Sequence, residues 1–149
     1  MLIKKLQHYN IRTTRYDETV TFYRQVLGMR SGLPPGAPEG APHTWLYDES
    51  GEAVVHLIPV DPKDPEQSYA KVVRFRGPPT EQSPLSFRGS GSIDHVAFAC
   101  EGWEEIVARL RAQNVPYTEN HMARFNLHQL FITDPNGVTL ELNFERHNS

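Results

Sequence analysis

The chain has little cysteine, no long apolar run and no excess of positive charge. Cys100 is the one cysteine among 149 residues, so no disulfide can form within the chain. The net charge of -3 argues against a nucleic-acid partner. No stretch approaches the roughly 20 apolar residues that cross a bilayer, so we expect no membrane partner. The opening residues, MLIKKLQHYN, lack the apolar core of a signal peptide, and we expect a cytoplasmic protein.

What the chain does contain is an internal repeat. The strand-like stretches LQHYNIRT and SIDHVAFA carry His8 and His95, and each is followed by a helix-like segment and further strands. Near the end of each half a turn, DESG or DPNG, introduces a strand that carries His56 or Glu141. We therefore predict an α+β fold with two tandem βαβββ modules, which pair into a cupped mixed sheet around a metal site.

Composition predicts the boundaries of these modules within a single domain. Pro, Gly, Ser and charged residues dominate the middle of the chain, where YAKVVRF is the one apolar patch. Such a segment is typical of a linker or of a flap over a site, and we expect partial order at best. The predicted parts are module one at residues 1–60, the linker or flap at 61–91, module two at 92–145 and a tail at 146–149.

Helix signals occur once in each module. Asp17 is a plausible N-cap for a helix that runs to about Leu27, with Gly28 as its stop. The second helix, GWEEIVARLRAQN, has a face that we expect to be buried. That face consists of Trp103, Ile106, Val107 and Leu110.

Strand alternation predicts where the candidate metal ligands point. Successive strand residues face opposite sides of a sheet, so Glu141 shares a face with Asn143, and His8 shares one with Asn10 and Arg12. A carboxylate in an apolar strand is seldom buried without a partner, which favours Glu141 as a ligand or a catalytic base. The predicted ligand set is His8, His56, His95 and Glu141, and the predicted substrate-binding residues include Asn10, Arg12 and Asn143.

The position of His56 requires one further assumption. One residue more separates His56 from its turn glycine, Gly51, than separates Glu141 from Gly137. A β-bulge in the strand would absorb the difference.

Other polar and aromatic residues are candidates for the site, each with a structural alternative. His128 has Asn126 on its face, and the pair could supply an acid or base and a substrate contact; a hydrogen-bonded structural role is the alternative. Trp45 and Tyr47 share a face and could stack on a flat substrate, although core packing is the commoner use of aromatic side chains.

Several segments together resemble a known family. HYNIRTT, DETVTFYRQVLGM, AVVHLIPV, GSIDHVAF and HQLFITDPNGVTLELNF are similar to the vicinal oxygen chelate superfamily, which includes glyoxalase I, extradiol dioxygenases and bleomycin resistance proteins. The resemblance implies that His8, His95 and Glu141 are metal ligands. It also places His56 where glyoxalase I has a glutamate that acts as ligand and base, which argues against glyoxalase I activity itself.

The resemblance implies a metal-dependent enzyme and a homodimer that acts on a small molecule. We favour dioxygenase chemistry of the extradiol type with Fe(II) or Mn(II), on an aromatic or enolisable substrate, with His56, His128 and Glu141 as catalytic residues. One alternative is a lyase or isomerase of the glyoxalase and epimerase type that uses Ni, Zn, Co or Mn. Another is a metal-free binding protein of the bleomycin-resistance type. The sequence leaves open whether the site forms within one chain or across two.

Overall fold

The two halves of the chain fold as separate units in the computed structural model, which describes residues 3–81, 84 and 86–145. One unit comprises Met1–Arg24 and Gly28–Phe87, and the other comprises Gln25–Leu27 and Arg88–Ser149. The predicted tail at residues 146–149 lies outside the described residues.

The first unit is built on a four-stranded sheet. Its elements are β1 (Tyr9–Thr13), α1 (Tyr16–Gln25), β2 (Arg30–Gly32), β3 (Trp45–Tyr47), β4 (Ala53–Pro59) and α2 (Pro65–Arg76). The strand order is β1-β4-β3-β2, in which β1 and β4 are parallel and the other neighbours are antiparallel.

The second unit repeats this arrangement. Its elements are β5 (Val96–Cys100), α3 (Trp103–Ala112), β6 (Tyr117–Met122), a short 3-10 helix (Ala123–Phe125), β7 (Leu127–Thr133) and β8 (Thr139–Glu145). The strand order is β5-β8-β7-β6, and again the first and last strands of the module are the parallel pair. The prediction of an α+β fold with two tandem βαβββ modules is therefore confirmed. The cupped arrangement around a metal ion stays a prediction.

One face of the first sheet packs on α1. Ile11 and Thr13 of β1 are buried, and the Thr13 hydroxyl lies 3.5 Å from that of Thr19 on the helix. The Tyr9 hydroxyl donates a hydrogen bond to Tyr23, also on α1. Because strand side chains alternate, Asn10 and Arg12 of β1 face away from the helix, as the sequence predicts.

In the second sheet, the face towards α3 is the apolar one. The three apolar side chains of α3 that become buried are Ile106, Val107 and Leu110. Trp103 is half-buried and packs edge-on against Phe144 of β8, with ring centroids 5.2 Å apart. Every second residue of β8 is buried, and Glu141 lies on the opposite, more accessible face.

The two turns that precede the last strands have the same hydrogen bonds. The Asp48 and Asp134 carboxylates accept from the backbone N–H groups of Glu52 and Val138, four residues ahead, at 2.9 Å in both cases. Each turn ends at a glycine with positive φ, which is 85° at Gly51 and 84° at Gly137 in the two copies. The repeat detected in the sequence therefore extends to the turn geometry.

The segment between the modules, for which we expect partial order at best, contains the helix α2. Asp64 caps this helix by accepting a hydrogen bond from the Gln67 N–H at 3.0 Å, and Pro65 occupies the first turn, where a missing N–H costs nothing. On α1, by contrast, Asp17 lies within the first turn rather than at the cap. No helix in the described part of the chain is long and apolar enough to cross a membrane.

Candidate functional site

In the first unit, the structure places two predicted ligands around an indole ring. His56 of β4 is paired across the strands with Trp45 of β3, and their rings stack with centroids 4.5 Å apart and planes 3° from parallel. His8, one residue before β1, contacts the same indole edge-on at 4.7 Å, and its ring centroid lies 6.4 Å from that of His56. Trp45 thus holds both imidazoles on one face of the sheet.

The surroundings of His56 favour its neutral form. Burial, followed by the proximity of His8, lowers the pKa of His56 below its ordinary value. A neutral imidazole is the form that binds a metal ion or accepts a proton. The chemistry predicted for His56 is therefore available to it at neutral pH.

A register shift in the first sheet accounts for the extra residue before His56. Leu46 pairs with Val55 and Tyr47 pairs with Ala53, so Val54 has no partner on β3. Two residues of one strand opposite one residue of its partner is the pattern of a β-bulge. The corresponding pairing of β7 with β8 is regular.

Because of this shift, His56 and Glu141 occupy equivalent positions. The residue before each pairs with the first residue of the module's first strand, Val55 with Tyr9 in one copy and Leu140 with Val96 in the other. The two histidines that precede these first strands are equivalent for the same reason. The repeat therefore supplies a pair of potential ligands in each unit.

In the second unit, His95 and Glu141 are in direct contact. His95 Nε2 lies 3.0 Å from Glu141 Oε2, and His95 Nδ1 lies 2.8 Å from Asp94 Oδ2. The Asp94 hydrogen bond, and then the Glu141 charge, raise the pKa of His95. When Nδ1 donates to Asp94, a neutral His95 turns a lone pair towards the Glu141 carboxylate. That contact is favourable only with a proton or a cation between the two atoms.

The spacing of this pair fits a shared metal ion. Ligand atoms that each lie about 2.0–2.2 Å from one ion, at right angles, are about 3 Å apart. The His95 and Glu141 atoms have that separation, and Asp94 provides the outer carboxylate that metal-binding histidines usually have. Among the described residues, no three His, Cys, Asp or Glu side chains group together around one point. The set of four ligands therefore stays a prediction.

A chain of amides fixes the other oxygen of Glu141. Gln129 Nε2 donates to Glu141 Oε1 at 2.9 Å and to Asn143 Oδ1 at 2.9 Å, and Asn143 Nδ2 donates to the same Glu141 oxygen at 2.7 Å. Asn120 donates in turn to the Gln129 side-chain oxygen at 2.7 Å. Oε1 is thus held by two donors, while Oε2 points to His95.

Sequence reasoning predicted Asn143 for this site but missed Gln129 and Asn120. The signal was present, because counting back from the DPNG turn pairs Gln129 with Asn143 across the hairpin. The structure places His128 on the opposite face, where it contacts Trp103 of α3 at a centroid distance of 5.2 Å. His128 therefore does not lie with Glu141 in the second unit.

The remaining predicted contact residues have mixed surroundings. Asn10 is exposed and pairs with His56, whereas the Arg12 guanidinium stacks on the ring of Tyr69 at 4.5 Å. The Tyr47 hydroxyl donates to the Leu33 carbonyl at 2.7 Å, which ties the Pro-rich loop to β3. Asn126 is a turn residue with φ of 50° that follows the short 3-10 helix.

A duplicated βαβββ module with a histidine before each first strand and a ligand-type residue on each last strand defines a class of protein. The sequence model of the Glyoxalase/Bleomycin resistance protein/Dioxygenase superfamily matches residues 5–142. The chain therefore belongs to this superfamily, which is the vicinal oxygen chelate superfamily that the sequence motifs resemble.

Individual relatives are distant. Glyoxylase I 4 of Arabidopsis thaliana is 23% identical over 145 residues, which cover 94% of this chain and 70% of the relative. The structure of the fosfomycin resistance protein FosX of Listeria monocytogenes has a TM-score of 0.60 at 13% sequence identity. The match covers 97% of this chain and 96% of the FosX chain. A lactoylglutathione lyase of Agrobacterium tumefaciens has a TM-score of 0.57 at 16% identity, with the same coverage. These structures share the fold.

Proposed function

We propose that the protein is a divalent-metal-dependent enzyme that acts on a small molecule with an enolisable carbonyl group. The observation that carries the proposal is the repeated pair: His8 with His56 in one unit, and His95 with Glu141 in the other, in equivalent registers. In this proposal His8, His95 and Glu141 bind the ion, and His56 is either a fourth ligand or the group that moves a proton.

The donor set suits a borderline ion such as Ni, Zn, Co, Mn or Fe(II) rather than Mg²⁺ or Ca²⁺, because imidazole nitrogens predominate. When bound, the ion would act as a Lewis acid that polarises the substrate's oxygen atoms. The chain's own residues orient the Glu141 ligand, because Gln129 and Asn143 hold the carboxylate in one position.

The hydrogen bonds of Glu141 favour His56 as the proton-transfer group. One Glu141 oxygen accepts two amide hydrogen bonds and the other faces His95, so neither is well placed to take a proton from a substrate. The described contacts of His56 are with the rings of Trp45 and His8. We therefore assign His56 the base role in abstracting a proton beside a carbonyl, which is the reaction class of lyases and isomerases.

The names of the relatives favour lyase or isomerase chemistry over the dioxygenase chemistry that the sequence favours. Two of them carry names of the glyoxalase type, Glyoxylase I 4 and lactoylglutathione lyase. A dioxygenase is the second candidate, because His8, His95 and Glu141 form the set of two histidines and one carboxylate that non-haem Fe(II) oxygenases use. Oxygen uptake separates the two candidates, since only the dioxygenase consumes O₂.

The deciding experiment is metal analysis of untagged protein purified anaerobically without chelators, and of the same protein reconstituted with each ion. We expect one equivalent of bound metal per chain to be lost in Glu141→Gln. Glu145→Gln, an exposed control on the same strand, should leave the metal content unchanged. His56→Ala distinguishes its two roles: full metal content with lost turnover identifies a base. Failure of wild type to bind any metal after reconstitution would overturn the enzymatic proposal and leave a binding protein.

A further inference from the structure

We propose that His121 and His128 form a second metal-binding site, for a transition-metal ion such as Cu²⁺, Ni²⁺ or Zn²⁺. His121 on β6 and His128 on β7 are directly paired across antiparallel strands. Their ring centroids are 4.2 Å apart.

Directly opposed residues on antiparallel strands suit a chelating pair. Their Cβ atoms lie about 4.5–5.5 Å apart and their side chains share a face, so two imidazoles at such positions can reach one ion. The second nitrogen then binds intramolecularly, which raises its effective concentration and makes the pair a tighter ligand than either ring alone.

The two histidine rings have different surroundings: that of His128 is packed against a neighbour, and that of His121 is exposed to solvent. His128 is half-buried and packs against Trp103, which restricts the positions that its ring can adopt. His121 is exposed on β6, one of the two edge strands of its sheet. Solvent can therefore deliver an ion to the pair and complete its coordination with water.

This site is distinct from the one that contains Glu141. His128 pairs with Phe144, on the face towards α3, whereas the adjacent Gln129 donates to Glu141 on the other face. With two imidazoles as the protein ligands, the affinity order should follow Cu²⁺ above Ni²⁺ and Zn²⁺, and Ca²⁺ should not compete.

Copper titration of the His8→Ala/His95→Ala variant tests the proposal, because that background disrupts both pairs of the proposed catalytic site. We expect CuCl₂ to quench the fluorescence of Trp103 and to bind at one equivalent per chain in equilibrium dialysis. Adding His121→Ala should weaken this binding by roughly tenfold or more, because the chelate loses one ligand. Adding His43→Ala, which removes an exposed histidine of the other unit, should leave it unchanged.

Two further variants make the result decisive. His128→Gln should weaken copper binding as His121→Ala does, with circular dichroism to verify the fold. Trp103→Phe should remove the quenching while the dialysis stoichiometry stays at one. Copper binding that is insensitive to both histidine substitutions would overturn the proposal, as would quenching that persists without Trp103. Neither result would affect the proposed function, because the background already lacks His8 and His95.

Discussion

At the scale of single residues, Gln129 matters because it links the candidate ligand Glu141 to two other polar side chains. Its amide donates to Glu141 and Asn143, and its side chain is only 6% exposed. A buried amide with both ends bonded is a rigid support for a ligand. Gln129 therefore bears on metal affinity without binding the ion itself.

Gln129→Leu should weaken metal binding by about 10- to 100-fold, because it removes one of two donors to Glu141 Oε1 and leaves the carboxylate free to turn. Competition with a chromogenic chelator measures the effect. Asn120→Ser is the graded control, because Asn120 contacts Gln129 but not the carboxylate, and its effect should be smaller. Equal affinity in wild type and Gln129→Leu would show that Asn143 alone orients Glu141.

Cys100 should be unreactive in the folded protein. Burial raises the pKa of its thiol to about 11, so only about one molecule in ten thousand carries the thiolate at pH 7. We expect iodoacetamide to alkylate Cys100 far more slowly than it alkylates glutathione, and at the glutathione rate once urea unfolds the chain. A folded-state rate equal to that of glutathione at pH 7 would contradict the burial of the Cys100 thiol.

At the scale of elements, the two aspartate-to-glycine turns fix the backbone where it leads into the last strand of each module. The Asp134 carboxylate is 4% exposed and accepts from the backbone of Asn136 and Val138 at 2.8 and 2.9 Å. Asp134→Ala would leave both buried N–H groups without that acceptor, at a cost of about 2 kcal/mol in the free energy of unfolding. Urea denaturation measures the loss. Asp48 is only half-buried, so Asp48→Ala is the matched comparison and should cost less.

The Asp48 turn should also respond to pH. The hydrogen bond from the Ser50 hydroxyl, with further bonds from backbone N–H groups, lowers the pKa of Asp48 below its ordinary 3.8. A lowered carboxyl pKa stabilises the fold above that ordinary value, and the contribution is lost as the pH falls through the lowered one. The stability gap between wild type and Asp48→Asn should thus shrink below about pH 4. A constant gap from pH 7 to pH 2 would exclude this role.

Hydrophobic periodicity predicted the helices and strands that have one apolar face. It did not predict α2, whose start depends on a capping residue. The α3 face and the β8 alternation are visible in the sequence because a buried stripe repeats at a fixed spacing. In contrast, α2 begins with a local cap at Asp64 in a segment rich in proline and charge, which resembles a linker in composition.

For the candidate site, the sequence predicted the ligand-type residues but not their neighbours. His8, His56, His95 and Glu141 follow from the repeat. The contact of Trp45 with both histidines of its unit, and that of Gln129 with Glu141, depend on which strands are adjacent and in what register. That information comes from pairing between strands, which a single strand does not contain.

At the scale of the whole molecule, we expect a homodimer, as the superfamily resemblance implies. Sedimentation equilibrium should give about twice the chain mass of 17.0 kDa. A mass of one chain at all concentrations would contradict the prediction.

Mixing variants then tests whether a metal site draws ligands from two chains. A His8→Ala/His56→Ala chain and a Glu141→Gln chain should each bind metal poorly. Recovery of metal binding after the two are refolded together would assign the ligands of one ion to different chains. No recovery, in a mixture shown to form heterodimers, would assign all four ligands to one chain.

The unpaired Val54 has a further consequence for how such a repeat can change over time. The parallel partner β1 sets the position of His56, while the bulge takes up the additional residue on the turn side. Insertions or deletions in that hairpin can therefore accumulate without moving the histidine. Two copies of one ancestral module can drift in length while their reactive positions stay aligned, and each copy is free to exchange imidazole for carboxylate independently of the other.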